Sequence, residues 1–123
     1  MDFEAFHRAS LAPYAHTGAN CFAVACAAFP HSPYALALLD WWGSIGEDLQ
    51  TRYATLPNQL LMWDRIARKY GMPPRARHED GIGLADIGGL HTYCATNGRA
   101  WFARSGKGVR RIPQSLIIID CGV

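Results

Sequence analysis

The chain is poor in the features that would tie it to a membrane, a metal ion or a nucleic acid. No apolar run approaches the length of a bilayer span, and the opening Met-Asp-Phe-Glu-Ala-Phe lacks the basic and apolar regions of a secretory leader. These absences predict a protein made and folded in a cytoplasm, with no membrane span. The four cysteines, at 21, 26, 94 and 121, include no Cys-x-x-Cys pair, and no closely spaced His pair accompanies them. That spacing predicts no zinc site and no iron–sulfur cluster, so no metal or other cofactor is expected. A disulfide framework is equally out of keeping with a cytoplasmic start. Charge is scarce too: 18% of residues are charged and the net charge is only +2, too little to imply nucleic acid. There is no internal repeat and no low-complexity stretch.

What is present is apolar. Half of the 123 residues are hydrophobic, enough for one globular domain with a real core but not for two. The basic residues crowd into the later part, from Arg65 to Arg111. They read as a solvated face, because they lack the aromatic interleaving of a base-stacking surface. The alternative is a surface for an anionic partner.

In chain order, the pattern predicts a short helix over Asp2 to Leu11, with Phe3, Phe6 and Ser10 on one face and Pro13 ending it. Asn20 is a favoured N-cap, and the run after it, Cys-Phe-Ala-Val-Ala-Cys-Ala-Ala-Phe, is a helix stopped by Pro30. Ser32-Pro33 is a cap with proline at the first helical position, starting a helix through Trp42 with Gly43 as its stop. Leu36, Leu39 and Trp42 are expected inward, with Trp41 partly exposed. A short helical piece follows over Glu47 to Ala54. Asn58 to Tyr70 is the clearest amphipathic helix: Leu61, Trp63, Ile66 and Tyr70 recur near helical spacing, Arg68 and Lys69 suit the dipole's negative end, and Gly71 closes it.

After a patternless loop from Pro73 to Gly83, the segments become short, β-leaning and separated by glycine. Asp86 to Thr96 is expected as one strand, Asn97-Gly98 as a hairpin turn and Arg99 to Arg104 as the partner strand. Ser105 to Gly108 is a second turn, Val109 to Ile112 a third strand and Leu116 to Cys121 a buried fourth. Helices over about residues 1–72, then an antiparallel sheet over about residues 84–123, make an α+β domain.

The candidate chemistry centres on Cys21. As the first residue inside a helix it sits near unpaired backbone N–H groups and the positive end of the dipole, which favour a thiolate. The bland alternative is that Cys21 and Cys26 are small buried apolar residues. A thiol nucleophile needs a histidine to take its proton and a third group to orient the ring. Of the five histidines, His91 stands out because it falls on a predicted strand, within Asp86-Ile-Gly-Gly-Leu-His-Thr-Tyr-Cys. A histidine merely filling a sheet position is the competing reading.

These segments resemble the NlpC-type cysteine peptidases, a papain-like family. Tyr14 to Phe29 resembles their nucleophile segment, in which an Asp-Cys pair opens a helix after a Tyr-containing loop; here the pair is Asn20-Cys21. Ala85-Asp86-Ile87 resembles their Gly-Asp-Leu/Val step into the sheet, and His91 to Gly98 followed by Arg99 to Ala103 resembles their histidine hairpin. The final turn and strand, Lys107 to Val123, is similar to the small NlpC-like tail proteins of long-tailed bacteriophages. The departures are specific. Asn20 stands for the usual Asp and Phe22 for the usual Ser. The third polar position, expected after the hairpin, falls among Trp101, Phe102 and Ala103, none of which can orient an imidazole by a hydrogen bond.

The resemblance implies a papain-like fold and a Cys–His peptidase, without metal, that cuts peptide crosslinks of peptidoglycan at a phage tail tip. Cys21 is then the nucleophile, His91 the general base, and Tyr14 or the Cys21 backbone N–H helps to hold the oxyanion. Its partners are other tail-tip proteins and peptidoglycan peptides, and its place is the host cytoplasm during assembly, then the virion tail. The alternative is a catalytically degenerate structural or assembly subunit of the tail tip. Trp41, Trp42, Trp63 and Trp101 suit interface anchors in that case, and core packing equally.

Overall fold

Helices occupy the first part of the chain and strands the second, as the change of pattern at Leu84 predicts, with the first strand starting earlier, at Gly81. The structure, a computed structural model, describes residues 1–13, 20–106 and 108–123. Among these, α1 (Phe3–Leu11), α2 (Cys21–Ala27), α3 (Pro33–Ile45), α4 (Glu47–Arg52) and α5 (Asn58–Tyr70) precede β1 (Gly81–Ile87), β2 (Leu90–Thr96), β3 (Trp101–Ser105), β4 (Gly108–Ile112) and β5 (Ile117–Gly122). The fold class is α+β, with one antiparallel sheet in the order β4-β3-β2-β1-β5. No helix among the described residues is long and apolar enough to cross a membrane.

The helix starts follow their caps. The side chains of Asp2, Asn20 and Ser32 accept hydrogen bonds from the N–H groups of Ala5, Ala23 and Ala35, and α5 closes on Gly71 in the left-handed region. α2 is apolar along its length, and it is accordingly the central helix, touching α1, α3, β2 and β3.

Several expectations shift once the chain packs. α3 runs through Gly43 to Ile45 and stops at Gly46, the glycine that adopts a positive φ of 85°. Its buried stripe is Ala35, Leu38 and Trp42, while Leu36 is 48% exposed. Trp42 is inward as expected and Leu39 packs partly buried against the core, but the small Ala35, rather than the larger Leu36, takes the inner place in the first turn. Phe3 and Leu61 also lie outward, although Phe6, Ser10, Trp63 and Ile66 are buried as expected. β5 is buried only at its end, at Cys121 and Gly122, because it forms an edge of the sheet.

The largest correction concerns the first strand. The stretch from Asp86 to Thr96 is not one strand but parts of two, joined by the Gly88-Gly89 turn, with φ of 60° and 90°. Such a turn needs positive φ at both central residues, and a Gly-Gly pair supplies it without steric cost. β1 therefore reaches back to Gly81, into what the pattern leaves as loop. The later turns fall where expected. Asn97 Oδ1 accepts from the N–H groups of Arg99 and Ala100, tying the β2–β3 loop, and β3 returns as β4 after Ser105.

Side-chain alternation divides the sheet into two faces. Ile82, Leu84, Tyr93 and Ala95 join Phe22, Trp42, Met62 and Trp63 in the core beneath the helices. Ala85, Cys94, Trp101, Ala103 and Ile112 form a smaller apolar layer on the outer face. Gly83 is what admits the Trp101 ring there: a Cβ at Gly83 would stand 2.8 Å from it.

Candidate active site

The position of Cys21 is set by its neighbours on both sides. Asn20 is buried and caps α2 through a 3.0 Å bond from Ala23 N–H, so Cys21 is the first residue of the helix and remains half-buried. Phe22 is fully buried. Its ring centroid lies 4.7 Å from that of Trp42 and 5.1 Å from that of Tyr93, the latter edge-on. Phe22 is thus an aromatic anchor between α3 and β2.

His91 lies on β2, the second strand rather than the first. Tyr93 and Ala95 face the helices, so His91, two residues before Tyr93, starts from the same face. Its register partner is Asp86 on β1, and His91 Nε2 stands 3.9 Å from Asp86 Oδ2. The other carboxylate oxygen, Asp86 Oδ1, accepts a 2.8 Å bond from Gly89 N–H. The hairpin turn therefore anchors the carboxylate beside the imidazole. Backbone bonding holds the strand as well: Gln59 Nε2 donates to the His91 carbonyl oxygen at 3.5 Å.

Asp86 is the acidic group that the residues after the second hairpin lack. The sequence expectation places the third group on the strand following His91, whereas the structure offers one on the strand before it. The Gly-Gly dipeptide was the available signal, since a hairpin there sets Asp86 opposite His91.

The α2 helix packs on β2, the strand that carries His91, but among the described residues no hydrogen bond joins the Cys21 thiol to the His91 ring, and His91 is not among the described residues lining either cavity that Cys21 borders. Tyr14, the expected third participant, lies outside the described residues. Tyr93 is the buried phenol beside Cys21. Burial above all, then the neighbouring Cys21 and Cys26 thiols and Tyr53, push its phenol well above the ordinary tyrosine range. The Tyr93 hydroxyl, buried, donates to the Tyr53 carbonyl oxygen at 3.2 Å.

Cys21 borders two cavities. The outer one is an open groove of about 640 Å³ whose walls include Ser10, Pro13, Arg104 and Ser105. This is room for a peptide-sized group beside the thiol. The inner one is only about 30 Å³, lined by residues that include Asn20, Phe22, Trp42, Gln50, Tyr53 and Tyr93. Among the described residues, Trp42 Nε1 and Gln50 Oε1 are buried without protein partners there, one a donor and one an acceptor.

The other cysteines are not candidates. Burial raises the Cys26 and Cys94 thiols above their ordinary range, and pushes Cys121 up to about 12. Among the described residues, no three His, Cys, Asp or Glu side chains cluster as metal ligands would. Compared with known proteins, the chain matches no family model, no curated protein and no solved structure.

Proposed function

We propose that this chain is an NlpC-like domain of a bacteriophage tail tip, papain-like in fold, that hydrolyses peptide crosslinks of peptidoglycan. The observation that supports this reading is that Asn20 caps α2 with Cys21 as its first residue, and that α2 packs on β2, where His91 stands beside Asp86. In the reaction His91 takes the thiol proton, and the Cys21 sulfur attacks the amide carbonyl. The oxyanion is held by the Cys21 backbone N–H and, as the resemblance assigns, by Tyr14. His91 then returns the proton to the leaving amine, and water hydrolyses the thioester. Asp86 orients the imidazole. The absence of a thiol–imidazole hydrogen bond is compatible with this scheme, because such contacts commonly tighten only with substrate in place. The protein is made in the host cytoplasm and carried in the virion tail.

The deciding experiment is peptidoglycan turnover by the wild type, Cys21→Ala and His91→Ala. Loss of release in both variants supports the peptidase, and equal release by all three sinks it.

One observation favours a second reading, a structural subunit without chemistry. Leu11 and Leu90 are 62% and 68% exposed, and Phe3, Leu36 and Leu61 are exposed as well. Surfaces of this kind suit contact with other tail proteins. On that reading Cys21→Ala leaves tail assembly and infectivity intact, while reversing the exposed charges of Arg110 and Arg111 blocks assembly.

A further inference from the structure

The sheet face turned away from the helices carries a second concavity, which the peptidase scheme does not use. It is a cleft of about 440 Å³, within the range of small-molecule sites. Arg75, Arg99 and Arg111 line it, and among the described residues no Asp or Glu does.

The three arginines differ in a way that matters. Arg75 is a fixed wall: its side chain is only 10% exposed, its Nε bonds Asp120 Oδ2 at 3.0 Å, and its guanidinium lies 5.1 Å from the Trp101 ring centroid. Its Nη1 also donates to the Ala76 and Glu79 carbonyl oxygens. Arg99 and Arg111 are exposed, and among the described residues their guanidinium groups have no hydrogen bond or ion pair. Asp120 pairs with Arg75, and the Glu79 carboxylate, bonded to Ala76 N–H, lies in the same loop, so the excess positive charge at the cleft rests on the exposed Arg99 and Arg111.

The neutral lining is consistent with an anion. Trp101 Nε1 donates to Gln114 Oε1 at 2.7 Å, which leaves the Gln114 Nε2 end to donate. The Trp101 ring is 2% exposed, so no aromatic face is open for a nucleobase to stack on. The chemistry that remains is a compact oxyanion of charge about −2, met by guanidinium donors in the geometry that suits carboxylates and phosphates. A monocarboxylate would neutralise only half of that charge.

We propose that this cleft binds a phosphate-type dianion, either free phosphate or the phosphoryl group of a small ester. Trp101 and Ile112 belong to the outer layer, so the site is independent of Cys21 and stands or falls apart from the peptidase reading.

The test is a titration of the intact chain with inorganic phosphate at pH 7.5 and constant ionic strength, followed by amide chemical shifts and calorimetry. Phosphoethanolamine and acetate are titrated in parallel. Saturable shifts are expected at Gly98 to Trp101 and Ile112 to Gln114. Arg99→Gln and Arg111→Gln each lower affinity about tenfold, the loss expected for one charged hydrogen bond. Arg52→Gln, at an exposed arginine on α4, leaves affinity unchanged. Acetate binds at least tenfold more weakly than phosphate. Tighter binding of phosphoethanolamine identifies a phosphoryl ester, and tighter binding of inorganic phosphate the free ion. Non-saturable shifts, equal affinity in all three arginine variants, or acetate binding as tightly as phosphate would each overturn the proposal.

Discussion

Asp86 and His91 face each other across the Gly88-Gly89 hairpin, with His91 Nε2 3.9 Å from Asp86 Oδ2 and Asp86 Oδ1 bound to the Gly89 N–H. One carboxylate thus ties the turn with one oxygen and faces the imidazole with the other. Asp86→Asn keeps an acceptor for Gly89 and removes the charge. If His91 is the general base, hydrolysis by this variant falls about 10²-fold or more, the lower end of what a positioned base contributes, while its melting temperature stays close to wild type. Turnover assays paired with thermal melts check this. An unchanged rate removes Asp86 from the mechanism.

The cap of α2 is separable from the chemistry. Asn20→Ala loses the bond to Ala23 N–H and destabilises the fold by about 1 kcal/mol, whereas Asn20→Asp retains an acceptor and the stability. Urea midpoints of the two variants measure the difference. Equal destabilisation by Asp and Ala would show that the cap bond is not the stabilising term.

Gly83 is required by Trp101. A methyl group there would sit 2.8 Å from the indole and 3.1 Å from the Ile119 carbonyl oxygen, and neither the buried ring nor the strand backbone has room to withdraw. Gly83→Ala is expected to destabilise by about 1–3 kcal/mol, the usual effect of overpacking. Gly43→Ala, in α3 with nothing within 4 Å of the added Cβ, is expected to stabilise slightly. Comparing their unfolding midpoints tests the close approach directly.

The buried thiols set an alkaline limit. Cys121 is raised from 9.0 to about 12, and Cys26 and Cys94 are also raised, by burial first in every case. In the unfolded chain these thiols ionise near pH 9, while in the folded chain they stay protonated. The folded state then binds more protons, so its stability is complete below that pH and declines as pH rises towards 12. The slope is about 1.4 kcal/mol per pH unit for each buried thiol. Urea unfolding at pH 8, 9.5 and 10.5 follows the decline, and Cys94→Ser or Cys121→Ser makes it shallower. A flat profile would show that the thiols are not buried.

The inner cavity beside Cys21 has the volume and polarity of a single water site. Trp42 Nε1–H and Gln50 Oε1 provide one donor and one acceptor around about 30 Å³, and each would otherwise forfeit a hydrogen bond in the interior. A long-lived water is expected to give a cross-peak to the Trp42 indole proton in water–protein magnetisation-transfer spectra. Its absence there would remove the bridge.

Much of this architecture is legible without coordinates. Local backbone chemistry announces itself in single residues: Asn20 and Ser32 as caps, Gly71 as a stop, Asn97-Gly98 as a turn. The helical half and the Cys21 position follow from these with little error. The first hairpin is not legible in the pattern because the glycines within β1 break its alternation, and the purpose of Gly83 appears only when Trp101 lies against it. The inward face of α3 was misjudged for a related reason, since hydrophobicity does not distinguish Ala35 from Leu36 until a neighbouring helix selects the smaller.

The sequence alone determined where the helices begin, that Cys21 heads the second of them and that an antiparallel sheet follows, because those features depend on interactions between residues a few places apart. Only the tertiary structure decided that Asp86 accompanies His91, that Phe22 anchors the thiol's helix and that three arginines share a cleft on the outer face. The first depends on the register that the Gly88-Gly89 turn sets, and the other two join segments far apart along the chain, which leave no local trace.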